Sequence, residues 1–174
     1  GERGPHRAGR AVLVPGEKGV ERGGRLERLA LDVLRQTFGY ESFRPHQAEI
    51  VAAALSGRDV LAVMPTSAGK SICYQVPALL LGAVSSDGRP GGLTVVVSPL
   101  ISLMEDQVGS LRQYGVAASY LNSSLGAGER ADVLHGVASG AVTILYVAPE
   151  RLDDPRFLEV AAARGVALLA VDEA

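Results

Sequence analysis

An α/β fold, with a parallel sheet carrying helices on both faces, is what this sequence predicts. Three observations lead there. Short apolar runs alternate with segments of helical period from residue 60 onward. One of these runs enters a small-residue loop that ends Gly69, Lys70, Ser71 and opens into a helical segment. The last run, 166–171, is followed directly by Asp172 and Glu173.

The elements follow in order. Residues 1–24 are rich in Gly, Arg and Pro, without sustained periodicity, and read as a flexible basic tail ahead of a folded region over 25–174. Leu26, Leu29, Ala30, Val33 and Leu34 recur at helical spacing, with Gly39 as the stop. A second helix is expected over 47–55, closed by Ser56 and Gly57. A strand over 60–63 leads through the loop to a helix over 70–81. Further strands are expected over 94–98, 118–121 and 143–147, and helices over 100–114 and 127–138. Asp154 before Pro155 is an N-cap with proline in the first turn, starting a helix to about residue 163. The final run, 166–171, is continuously apolar, as a strand buried on both faces would be.

The loop carries the first chemistry. A strand, a loop ending Gly-Lys-Ser and a helix make a phosphate-binding loop. Successive backbone N–H groups converge on phosphates, and the helix points its positive end at them. Met64, Pro65, Thr66, Ser67, Ala68, Gly69, Lys70 and Ser71 form this stretch. Lys70 supplies a cation for the β- and γ-phosphates, and Ser71 a hydroxyl for Mg²⁺. Only Lys18 and Lys70 are lysines among 17 basic residues, so past residue 18 lysine is used once, in this loop. Carboxylates at the C-terminal end of a parallel strand lie where α/β folds place ligands. Asp172 is therefore expected to hold Mg²⁺, and Glu173 to orient and deprotonate an attacking water.

Composition sets bounds. Hydrophobic content of 47% with 21% charged residues fits a globular chain with a real core. The net charge of −2 gives no general attraction to nucleic acid. Its distribution is uneven: residues 1–28 hold seven basic and four acidic side chains, the remainder ten and fifteen. One cysteine, Cys73, excludes an internal disulfide and suits a reducing cytoplasm. No run approaches the roughly 20 apolar residues of a membrane span. His6, His46 and His135 have no metal-ligand spacing with Cys73.

Read in order, these blocks resemble the RecQ family of superfamily 2 DNA helicases. Residues 37–47, including Phe38, Gly39, Tyr40, Phe43, Arg44, Pro45 and Gln47, look like its adenine-recognition motif. Residues 64–77 look like motif I, 95–107 like motif Ia, and 171–174 like motif II. Leu121, Asn122, Ser123 and the stretch 146–152 resemble further blocks of the family. The resemblance covers about residues 26–174. It implies a RecA-like nucleotide-binding fold, cut after the motif II strand, within an enzyme that couples ATP and Mg²⁺ to 3′→5′ movement on DNA. By that likeness Gln47 reads the adenine edge, and Tyr40 and Arg44 stack on the base. Ser98, Pro99, Leu100, Ser102, Asn122 and Arg151 would touch the backbone of single-stranded or junction DNA. Phe43 reads as a core aromatic. His46 and Ser67 stand where the family usually has glycine.

Three other readings fit parts of the sequence. A P-loop kinase would need an acceptor lid and no 38–47 block. An RNA helicase of the same superfamily would differ in strand preference. A binding module without turnover would hold nucleotide and not hydrolyse it.

Overall fold

The structure is a computed structural model that describes residues 11–13, 20–65 and 69–172, with side chains from Gly24 onward. It divides into two compact units, 1–77 and 78–174. The division falls inside helix α3 (Ile72–Leu81), at Pro77.

In the first unit, strand β1 (Ala11–Leu13) pairs antiparallel with β2 (Val60–Ala62). Helix α1 (Val20–Phe38) buries Ala30, Leu34 and Phe38, spaced four apart on one stripe. It packs on α2 (Gln47–Leu55), whose Ile50, Val51 and Ala53 are buried. The α2 helix in turn packs on β2, the strand that leads toward the phosphate loop. The sequence places 60–63 in the parallel sheet. Here β2 takes β1 as its partner, because residues 11–13, within the segment read as a tail, satisfy its hydrogen bonds.

The second unit is a four-stranded parallel sheet in the order β4-β5-β3-β6. Its strands are β3 (Leu93–Val97), β4 (Ala118–Leu121), β5 (Ile144–Val147) and β6 (Val166–Val171). Between them run α4 (Ile101–Gln113), α5 (Ala127–Ser139) and α6 (Pro155–Arg164). As expected from Pro155, Asp154 Oδ1 accepts from the Arg156 N–H at 3.0 Å and caps α6. Every residue of β3 and β5 is buried, which requires apolar side chains on both faces. On one face Val95, Val97, Leu145 and Val147 pack with Leu134 and Val137 of α5 and Phe157 and Ala161 of α6. The other face carries Thr94, Val96, Ile144 and Tyr146, all buried, while α4 buries Met104, Val108 and Leu111.

The run 166–171 forms a strand, but not one buried on both faces. Among the described residues β6 lies at the end of the strand order with β3 as its neighbour. Leu169 and Val171 pair with Val95 and Val97, so they share the face of the α5–α6 cluster. That cluster stops short of them, and they stay 60% and 59% exposed.

At the last turn of α6 the Arg164 side chain reaches inward. Its Nε donates to the Gly91 carbonyl at 3.0 Å, and Nη1 donates to the carbonyls of Val137 and Val142 at 2.9 Å each. Burial lowers its pKa from the ordinary value, while the three carbonyls take up donors that would otherwise lack partners. The Gly92 Cα lies so close to Ala167 that a Cβ there would sit 2.3 Å from the alanine methyl. Thr94 is the contrasting case: its hydroxyl is fully buried and has no hydrogen-bond partner. A buried orphan hydroxyl costs on the order of 1–3 kcal/mol, so Thr94→Val should stabilise the protein by about 1 kcal/mol. The midpoint of denaturant unfolding checks this, and a midpoint at or below wild type refutes it.

Candidate nucleotide and nucleic-acid site

One group of candidate residues, in the first unit, is built on a four-residue turn. Arg44, Pro45, His46 and Gln47 have the features of a type II turn: proline second, a positive φ third, and the Gln47 N–H donating to the Arg44 carbonyl at 3.1 Å. His46 takes φ 71° and ψ −16°, the only positive φ outside glycine among the described residues. This is the position where the sequence has histidine in place of the family's usual glycine, and the turn type supplies the reason glycine suits it. The turn closes a second time through the side chain, because Arg44 N–H donates to Gln47 Oε1 at 2.8 Å. The side-chain bond resembles one half of a capping box at the same three-residue spacing, while the other half is the backbone bond of the turn.

The other end of the same amide crosses to the phosphate loop. Gln47 Nε2 donates to the Gly69 carbonyl at 2.9 Å, joining residues 22 apart in sequence. Gly69 has φ +73°, and a Cβ there would stand 2.5 Å from that Nε2 and 3.8 Å from an Arg44 guanidinium nitrogen. Only glycine satisfies both the backbone and the approach. Gln47 is 3% exposed, Tyr40 49% exposed, Arg44 exposed and Phe43 half-buried. Tyr40 is thus open for stacking, and Gln47 spends both ends of its amide on the protein itself.

Met64, Gly69, Lys70 and Ser71 are half-buried and Pro65 is exposed; Thr66, Ser67 and Ala68 lie outside the described residues. Lys70 and Ser71 form the turn that starts α3, their carbonyls accepting the N–H groups of Cys73 and of Tyr74 and Gln75. Behind the loop, Cys73 lies with its Sγ 4.0 Å from Met64 Sδ. Burial pushes its thiol up to about 11.

A separate group of candidate residues, in the second unit, lies at the carboxyl ends of the parallel strands. Leu121, Val147, Val97 and Val171 are in register across β4, β5, β3 and β6. The next row therefore brings together Asn122, Ala148, Ser98 and Asp172. Their N–H groups continue the ladder: Ala148 donates to Leu121, Ser98 to Val147 and Asp172 to Val97. Three side chains singled out in the sequence thus fall in one row, where α/β sheets place ligands. Glu173 lies outside the described residues.

Ser98 is 2% exposed, and its hydroxyl has no partner. Pro99 and Leu100 follow, both exposed, and Leu100 caps α4 without offering a side-chain oxygen to its first N–H groups. Ser102, in that first turn, is exposed. Arg151 ends a 3-10 turn (Pro149–Arg151) after β5 that sequence periodicity did not signal, and its Nε is buried with no partner. Asn122 is fully buried. Its Oδ1 accepts from the Ser124 N–H at 2.9 Å, and its Nδ2 donates to Met104 Sδ at 3.6 Å. The Ser124 hydroxyl lies 2.5 Å from Asn122 Oδ1 and 3.0 Å from Glu105 Oε1. Asn122 therefore fixes the loop after β4 against the first turns of α4 and offers no side chain to solvent. Among the described residues no group of three or more His, Cys, Asp and Glu side chains could hold a metal ion.

Comparison with known proteins gives the family. The profile of the DEAD/DEAH box helicase family matches residues 44–174, and the chain belongs to that family. It is 45% identical over 145 residues to the ATP-dependent DNA helicase RecQ of Haemophilus influenzae, covering 83% of this chain and 22% of that protein. It is 42% identical over 146 residues to RecQ of Bacillus subtilis, covering 83% and 23%. The ATP-dependent helicase SGS1 of Saccharomyces cerevisiae is 40% identical over 119 residues, 68% of this chain and 8% of that one. The chain spans less than a quarter of the length of these relatives. Among the described residues no helix is long and apolar enough to cross a membrane.

Two outcomes follow. A left-handed β-carbon at His46 costs on the order of 1 kcal/mol. His46→Gly should raise stability by roughly 0.5–1 kcal/mol in thermal or denaturant unfolding, and a loss of stability would show the histidine side chain compensates. The Cys73 thiol keeps its proton between its ordinary value of 9.0 and about 11, where an unfolded thiol has lost it. Its contribution to stability is thus intact below pH 9 and lost as pH rises through that window. At pH 8.5 alkylation by iodoacetamide should run on the order of 100-fold slower in the native protein than in denatured chain, from thiolate fraction alone. Equal rates would contradict the burial.

Proposed function

We propose that this chain is the ATP-binding part of a RecQ-type DNA helicase, an enzyme that couples ATP hydrolysis to 3′→5′ strand separation in the cytoplasm. One observation carries the reading: the turn at 44–47, from the block resembling an adenine-recognition motif, is hydrogen-bonded to Gly69 of the phosphate loop. Two blocks singled out separately in sequence meet as one structure. A P-loop kinase has no need of the first of them.

In this reading ATP is the substrate. Tyr40 and Arg44 flank the base, through an aromatic face and a planar guanidinium. By the resemblance Gln47 would meet the adenine edge with the same amide that bonds the Arg44 N–H and the Gly69 carbonyl, sharing those groups with the base. Backbone N–H groups of 64–71 and the start of α3 receive the phosphates, and Lys70 neutralises the β- and γ-oxygens. Ser71 and Asp172 would hold Mg²⁺, which when bound spreads the charge that develops on the transferred phosphoryl group. Glu173 would orient the attacking water and accept its proton. A half-buried lysine beside a glycine in the left-handed conformation fits a phosphate group.

The strand-end row supports a DNA-backbone role for Ser98, Pro99, Leu100, Ser102 and Arg151. The Ser98 hydroxyl and Arg151 Nε lack partners, and α4 starts without a side-chain cap. Such groups suit phosphate oxygens and read no sequence. Asn122 would act by holding the α4 start in place.

Lys70→Ala in the full-length protein should abolish DNA-stimulated ATP turnover and leave the melting temperature within a few degrees. Turnover within tenfold of wild type overturns the assignment. Stimulation by RNA instead of DNA would favour the RNA helicase reading, and binding without turnover in wild type the non-catalytic one.

A further inference from the structure

We infer that Gln47 is a positioning residue for the phosphate loop, setting affinity for the triphosphate independently of the base; this rests on the nucleotide site proposed above. The argument begins with the amide's two ends. Oε1 is fixed by the Arg44 N–H at 2.8 Å, inside a turn that the Gln47 N–H closes again at 3.1 Å. That turn is anchored by α2, which starts at Gln47 and buries Ile50 and Val51 against α1. The amide plane is therefore set by the scaffold. One of the two N–H groups on Nε2 is thereby aimed at the Gly69 carbonyl, 2.9 Å away.

Gly69 immediately precedes Lys70 and Ser71. Holding its carbonyl fixes the peptide plane that it shares with Lys70. The Lys70 N–H sits on that same plane, opposite the carbonyl. A hydrogen bond to the carbonyl thus orients the N–H that a phosphate loop needs. The 2.5 Å approach of Nε2 to any Cβ at position 69 shows how tightly the two are fitted, and the positive φ of Gly69 is the conformation this contact holds. Gln47 is 3% exposed, so water competes little for the bond.

A base reader and a loop holder differ in what they do to a ligand without a base. The probes are ATP, GTP and inorganic tripolyphosphate, each with Mg²⁺, titrated calorimetrically into the full-length protein. The variants are Gln47→Glu and Gln47→Met. Glutamate keeps an acceptor for Arg44 N–H and loses the donor toward Gly69. Methionine keeps length and burial and loses both bonds. Both variants should weaken tripolyphosphate about tenfold, as much as they weaken ATP through the loop. In ligand-free protein, hydrogen exchange at the amides of 69–71 should be faster in both variants, with melting temperatures that show a folded protein. Unchanged tripolyphosphate affinity with a narrowed ATP/GTP preference means that Gln47 serves the base alone, and overturns the inference. Unchanged exchange at 69–71 overturns it also, without reference to any nucleotide. Should wild type bind neither ATP nor tripolyphosphate while exchange responds as expected, the nucleotide reading fails and the loop contact stands.

Discussion

Gly69 turns left-handed directly beside a buried amide, and the path of the chain into α3 runs through that fit. In the function proposed above the loop offers its backbone N–H groups to phosphate, and its carbonyls then need partners elsewhere. Gln47 provides one, and can do so because its own backbone closes a turn and starts a helix. The helix is held by the apolar stripe of α1. A chain of dependence runs from the periodicity of Ala30, Leu34 and Phe38 to the orientation of one peptide plane.

The strand-end row obeys a different constraint. β3 and β5 are buried on both faces, so their polar backbone groups and side chains can meet ligands only beyond the last paired residues. Register then decides which side chains stand together. Leu121, Val147, Val97 and Val171 align, and Asn122, Ser98 and Asp172 come into one row from segments up to 74 positions apart in the chain. Burial sorts their roles: the orphan Ser98 hydroxyl remains to be satisfied, whereas Asn122 is consumed by its own loop.

Much of this was legible in the sequence. The helix limits at 47–55 and the strand at 118–121 match the structure, because turn residues and apolar period agree there. The Asp154 cap was readable from Pro155 beside it. The partner of β2 was not, since three apolar residues in a Gly- and Arg-rich segment carry too short a period to mark a strand. The exposure of β6 was also hidden: an apolar run reads the same at a sheet's edge as at its centre, and only strand order separates the two. At the site, Gln47 was legible as a functional amide, but its grip on Gly69 depends on a contact across 22 residues that no local pattern encodes. His46 left a signal of another kind, a bulky residue after proline where a type II turn wants glycine.

Arg164 joins pieces of chain far apart in sequence. Its bonds reach back 73, 27 and 22 residues, to the start of β3 and to both ends of the α5–β5 connection. One planar group thereby ties the end of α6 to the entry of β3 and to the chain between α5 and β5, so these three pieces of the sheet unit cannot part without breaking charged hydrogen bonds together.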